Sequence, residues 1–325
     1  MDVVGGASVL EYGPEEEGAH EIGSQELWQE SVVLVWWDKD NQVGGMHRIG
    51  HEPNTQAGPK VTLWNNIFSP DAIFKRTASI PLRDSDRMKN GFNCGDDSCI
   101  FEYTDHAIWK IKDEDVSAEL HVYDYHTPVD IYPKKGALGE DVAPNHMEVA
   151  ARVEGELTIG GKHYSVKGLA FRDHGWGLRD WSTFVGHRWV AGVTESGTMI
   201  FGQTFHSTDD VIVRFGCVIK DNALTYAKHV DIVTYLEPDG LTHRGGFLEM
   251  TLTTGEVVRI DPKPAQKGVV SWIYGIACVD TICEFTYKGE YGMCDFETTN
   301  NALRGSYQPK LAVNGVIENG MSVLK

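Results

Sequence analysis

At 325 residues the chain is long enough for two domains of ordinary size or for one large all-β domain. Its 29 basic and 47 acidic side chains give a formal charge of −18, a field that repels nucleic acid and anionic membrane surfaces. Glycine is abundant at 35 residues and proline modest at 12, which suits a sheet protein with many tight turns rather than a disordered chain.

Residues 1–23 carry no basic leader and no sustained apolar run. No later segment approaches the roughly 18 uncharged apolar residues of a membrane-spanning helix. The expectation is a soluble cytoplasmic protein with no membrane span. Residues 15–30 have helix-leaning composition, and a short helix is expected there, ahead of the first strand.

From Ser31 onward the dominant period is two. Ser31 to Trp37, Ser98 to Tyr103, Ala118 to Tyr125, Met147 to Val153 and Val211 to Ile219 are short, rich in β-branched and aromatic residues, and bounded by turn formers. These are antiparallel strands. Asp40-Asn41, Gly160-Gly161, Ser196-Gly197, Asp239-Gly240, Thr254-Gly255 and Asn314-Gly315 each separate two such runs, as hairpin loops do. Residues 132–145, with proline, glycine and lysine, read as a long loop between strands. The fold class is all-β. The six cysteines, Cys94, Cys99, Cys217, Cys278, Cys283 and Cys294, match no zinc spacing and are expected as reduced thiols, many of them buried in strands.

Nucleotide-binding glycine loops and the Gly-x-Ser-x-Gly elbow are both missing, so neither a nucleotide cofactor nor an α/β-type hydrolase is expected. No metal is expected either. His47 and His51 flank residues that read as strand or turn, and the pair is not expected to share a face. His146 and Glu148 stand two apart at the start of a strand and do project from one face. They are either a satisfied polar pair or an acid and imidazole turned into a cavity.

The densest chemistry lies in Arg172-Asp173-His174-Gly175-Trp176-Gly177-Leu178-Arg179-Asp180-Trp181. A carboxylate beside an imidazole is a candidate proton-transfer pair, and an indole face can line an apolar pocket or stabilise a cation. Arg172, Arg179 and Asp180 can equally form a salt-bridge network that fixes the join of two sheets. Glycine on both sides of Trp176 suggests a bulged backbone that re-aims side chains, which favours function for His174 and Trp176.

This segment resembles the Arg-Asp-His-x-Trp-Gly-x-Arg-Asp-Trp signature of the AttH-like and carotenoid 1,2-hydratase (CrtC-like) superfamily. Supporting pieces lie at Gly45 to Gly50, at His146 to Glu148 and at Gly289 to Phe296. The resemblance implies two lipocalin-like antiparallel β-barrel domains packed together, drawn here at 1–185 and 186–325, with an apolar inter-domain pocket. Members include carotenoid hydratases and lipocalin-like Diels–Alderases, which need no organic cofactor.

Hydration of an isolated alkene needs an acid to protonate carbon, a wall that tolerates the cation and a held water. Asp173 or Asp180 could be the acid, with His174 orienting it or holding water, and Trp176 and Trp189 offering π-faces. Hydratases of this kind look to a tyrosine and an aspartate two residues apart on a later strand, where this chain carries Phe201 and Gln203. Glutamine cannot protonate an alkene.

The reading is therefore a cofactor-independent lyase or isomerase, of cyclase or hydratase type, acting on a hydrophobic isoprenoid- or polyketide-like alkene. Asp173, His174, Trp176 and Gln203 are the catalytic candidates, and His146, Glu148, Trp189 and Phe201 the substrate-binding ones. The alternatives are a Diels–Alderase-type pericyclic enzyme, with Gln203 bonding a carbonyl, and a non-catalytic carrier of a lipid-like molecule. The expected partner is a hydrophobic small molecule.

Overall fold

The computed structural model describes residues 10–136, 138–207, 212–266, 268–273, 276–301 and 316–318. They form two large, curled antiparallel sheets with almost no helix, so the protein is all-β with two barrel-like domains. One compact unit is built from Val9–Asp130 and Val142–Arg179. The other takes Ile131–Asp141 and the chain from Asp180 onward.

The sheet of the first unit runs, in spatial order, through the strands Ile73–Pro81, Lys60–Phe68, Val43–Glu52, Trp28–Asp38, Lys162–Leu178, Asn145–Ile159, Val116–Asp124, Ala107–Asp113 and Cys99–Tyr103, then two short ones. Asp40-Asn41 and Gly160-Gly161 close hairpins between neighbours in this order, as their turn chemistry predicts. Strand alternation sends Val32, Leu34 and Trp36 to the inner face, where they pack in one cluster with Ile49, Leu63, Phe92 and Trp109. Val33, Val35 and Trp37 point to the outer face, where Val35 and Trp37 are buried and Val33 is half-buried. Burial on both faces explains why this strand reads as a nearly unbroken apolar run. Each such large side chain contributes on the order of 2–3 kcal/mol. Ile73–Pro81, at the sheet edge, alternates instead between exposed and half-buried positions.

The second unit repeats the scheme. Val190, Ile200, Leu248, Met250 and Phe296 form its inner cluster, while Trp189, Phe201 and Phe215 are buried on the other face. Ser196-Gly197, Asp239-Gly240 and Thr254-Gly255 lie between consecutive strands as expected. Asn314-Gly315 and Val211 fall outside the described residues.

Two sequence expectations need correction. Residues 15–30 hold no helix beyond a single 3-10 turn at Pro14–Glu17, and Trp28 already begins a strand. The acidic run lacks the apolar face on which a longer helix could pack. The loop at 132–145 contains one π-helical turn, Leu138–Val142. All six cysteines are free and buried, as read from their spacing. Among the described residues no helix is long and apolar enough to cross a membrane.

Candidate functional site

The motif occupies the end of the long strand Lys162–Leu178, held between Trp28–Asp38 and Asn145–Ile159. Because side chains alternate, the motif is divided between two faces. Arg172, His174 and Trp176 register with Leu34, Val32 and Glu30 and point inward with them. Asp173 registers with Glu148, and Gly175 with His146, on the outer face.

The inward set is a closed polar network. Arg172 is held by Glu17 at 2.7 and 2.9 Å and by Asp124 at 2.5 and 2.8 Å. His174 Nε2 lies 3.1 Å from Glu30 Oε1, and Glu30 also receives Arg87 at 2.9 Å and His20 Nδ1 at 2.6 Å. His20 stacks on Trp176 with ring centroids 3.7 Å apart and planes 9° from parallel. Burial pushes the Glu30 carboxyl up, but hydrogen bonds from His174 and His20, helped by the Arg87 charge, overcome it and hold the group at about 2. Hydrogen bonds to Glu30 and Glu16 in turn raise His20 against its own desolvation.

The outward set is more loosely connected. His146 Nε2 stands 3.6 Å from Glu148 Oε1 and 3.7 Å from Asp173 Oδ2, while Arg179 Nη2 lies 3.3 Å from His146 Nδ1. A guanidinium can only donate, so Nδ1 is the acceptor, and the neutral ring carries its proton on Nε2. That N–H is directed between the two carboxylates. Burial keeps the His146 imidazole neutral, with Asp173 opposing and the Arg179 charge adding to the effect. Glu148 is sealed, whereas Asp173 keeps 13 % of its side chain exposed. Glycine at 175 makes the cluster possible, since a Cβ there would lie 2.4 Å from Arg179 Nη2 and 3.1 Å from His146 Nδ1. Gly177, at φ 121°, then turns the chain toward Arg179.

Asp180 caps the 3-10 turn Trp181–Thr183, accepting from Ser182 N at 2.8 Å. Trp189, Phe201 and Gln203 come together in the second unit, where Trp189 registers directly with Gln203. Phe201 meets Trp189 at 5.9 Å and Phe215 at 5.8 Å, and Tyr132 meets both Phe201 and Phe215 edge-on. Gln203 is buried on this aromatic face, and its Oε1 has no hydrogen-bond partner.

The candidate residues thus fall into three groups: His174 with Trp176, Asp173 with His146 and Glu148, and Gln203 with Trp189 and Phe201. Three clusters have the spacing to hold a metal ion among the described residues: His20–Glu30–His174, His146–Glu148–Asp173 and Cys278–Asp280–Glu297. Sequence reasoning missed His20, Glu30, Glu17 and Arg87, all remote in sequence from the motif they complete. The reading of His47 and His51 also needs correction. They lie in one strand, Val43–Glu52, where residues four apart do share a face. His47 is held between Trp36 Nε1 and Asn65, and His51 meets the Asn93 carbonyl.

A protein-family model described as a domain of unknown function, DUF7064, matches residues 13–302. The chain belongs to this family. Comparison with curated proteins returns no match. Among solved structures, an AttH candidate from Nitrosomonas europaea superposes on this DUF7064 chain with a TM-score of 0.68 at 15% identity, covering 93% of this chain and 99% of the other. CghA, solved with Sch210972, gives 0.60 at 10% identity, covering 92% and 99%, and CghA alone gives 0.58 at 10% identity over the same shares. The DUF7064 chain therefore has the AttH-like fold implied by its motif.

Proposed function

We propose that the protein is a cofactor-independent lyase or isomerase acting on a hydrophobic alkene, with proton transfer carried by the outer-face cluster of the first unit. The observation that carries this reading is the neutral His146 ring, backed by Arg179, with its Nε2–H between a sealed carboxylate, Glu148, and a partly exposed one, Asp173. Moving a double bond or closing a ring requires a group that takes a proton from one carbon and returns it to another. Asp173 has the exposure to meet substrate, and His146 positions it, with Glu148 beside the same Nε2–H and Arg179 on the far side of the imidazole.

The test is turnover of a panel of isoprenoid and polyketide polyenes followed by product mass. An unchanged mass marks isomerisation or cyclisation, and a gain of one water marks hydration. Asp173→Asn should abolish turnover by at least about 100-fold, the usual contribution of a positioned acid–base group. A fully active Asp173→Asn enzyme rejects the proposal.

A second reading, a pericyclic enzyme, is favoured by the other unit. Cycloaddition needs a shaped apolar wall and one donor to polarise a carbonyl, and Trp189, Phe201 and Phe215 around Gln203 supply those groups. Under this reading Asp173→Asn stays active and Gln203→Ala loses rate. A lipid-like carrier would bind the same polyenes and convert none.

A further inference from the structure

A charge without a counter-charge lies inside the second unit. Arg188, on the strand Phe184–Thr194, alternates with Trp189 and so points to the inner face with Val190. It is fully buried. No carboxylate lies within ion-pair distance of its guanidinium among the described residues. Nη1 donates to the His187 carbonyl at 2.6 Å and the Thr299 carbonyl at 3.3 Å, and Nη2 reaches Asn300 Oδ1 at 3.4 Å. All three acceptors are neutral. Nε has no partner.

Glu297 is the acid whose charge Arg188 feels, but it projects from the opposite face, where it is paired with His187 at 2.6 Å. Burial lowers the guanidinium to about 9, which still leaves it protonated at neutral pH. An unpaired buried cation is among the most costly features a core can hold, and it persists where something anionic compensates it.

The surroundings are suited to an anion. Arg188 registers with Thr204 on one neighbouring strand and with Thr298 on the other, so the two hydroxyls flank it on the same face. Both hydroxyls are buried without hydrogen-bond partners, as is that of Thr234 on the same side of the core. With Nη1 tied to backbone carbonyls, the edge left for recognition is Nε with Nη2. This is one of the two guanidinium edges that take a planar carboxylate through two parallel hydrogen bonds.

We propose that Arg188, Thr204 and Thr298 form a binding site for the carboxylate of a short organic acid inside the second unit, independent of the proton-transfer cluster proposed above. The ligand is short because the adjoining layer is filled. A Cβ on Gly202 would lie 2.5 Å from Leu248 Cδ1, and one on Gly216 2.6 Å from Met250 Sδ.

The test uses the full-length protein and carboxyl-labelled acetate observed by NMR at constant ionic strength, with acetamide as the neutral isostere and inorganic phosphate as competitor. Acetate should bind saturably and acetamide should not. Arg188→Gln should weaken acetate at least about tenfold, in line with a charge-assisted bidentate bond. Thr204→Val, which keeps the arginine and the side-chain volume, should weaken it several-fold, so the proposal remains testable if Arg188→Gln does not fold. Equal acetate binding by a folded Arg188→Gln variant, or by Thr204→Val if the arginine variant does not fold, overturns the site. So do acetamide binding as well as acetate and absence of saturable acetate binding. Phosphate displacing acetate at a lower concentration than acetate itself requires overturns the carboxylate assignment.

Discussion

Asp173 and His174 are adjacent in the chain yet face opposite sides of one sheet: the imidazole meets Glu30 and Phe92 on the inner face, and the carboxylate meets His146 on the outer. They cannot pass a proton directly, and substitutions at the two positions should fail in different ways. His174→Ala removes a partner of buried Glu30 and should cost about 3 kcal/mol of stability, the range for breaking a buried pair. Asp173→Asn should stay within about 1 kcal/mol of the parent, since its carboxylate is partly solvated. Urea denaturation of the two proteins distinguishes these outcomes, and equal losses would contradict the division.

The imidazoles predict an acid-sensitive range. Burial lowers His47 and His51 to about 4, and His243 likewise, against the usual 6.5. Between those values the unfolded chain binds protons that the folded chain refuses. Their stabilisation is therefore complete above pH 6.5 and is lost as pH falls toward 4. His47→Gln should flatten the slope of unfolding free energy against pH between 6.5 and 4 by up to about one proton's worth, as measured by urea titrations at stepped pH. An unchanged slope would show that His47 takes its proton as readily folded as unfolded.

Glu30 acts over the next interval. Its folded value of about 2 lies below the ordinary 4.5, so its contribution is present above pH 4.5 and is lost as pH falls toward 2. His20, raised by the same contact, contributes fully below its ordinary 6.5 and loses that contribution as pH rises through its folded value. Glu30→Gln should thus erase up to about 3 kcal/mol at pH 5.5 and much less near pH 2. Chemical denaturation at both pH values checks this, and a pH-independent loss would point to packing instead.

The alternation of Ser31 to Trp37 and the turn pairs at Asp40-Asn41 and Gly160-Gly161 made the sheets legible, because a period of two and a cluster of turn-forming residues are local properties. The motif was legible as a concentration of chemistry but not as two faces. Assigning faces requires knowing that Trp176 registers with Glu30 and Gly175 with His146, and register is set by the whole sheet. Arg188 gave no signal at all. A lone arginine in a strand reads as an exposed residue, and only the burial and the neutral acceptors around it show an uncompensated charge.

Gly175 offers a test of the outer cluster that leaves its titratable groups in place. A methyl group there would approach Arg179 Nη2 to 2.4 Å, but that atom is the far end of a flexible side chain and can move aside. Gly175→Ala should therefore cost less than about 1 kcal/mol. Gly246→Ala, whose Cβ would fall 1.8 Å from the Val233 carbonyl oxygen, should cost several times more, because backbone must shift. What Gly175→Ala does remove is the guanidinium that pins His146 to its Nε2–H form. The ring is then free to populate the other tautomer, and the raised imidazole affinity for protons should shift its titration upward. Nitrogen-15 NMR of the histidine side chains reads both changes. A ring that keeps its Nε2–H signature and its titration in a folded Gly175→Ala protein would show that Arg179 does not set the state of His146.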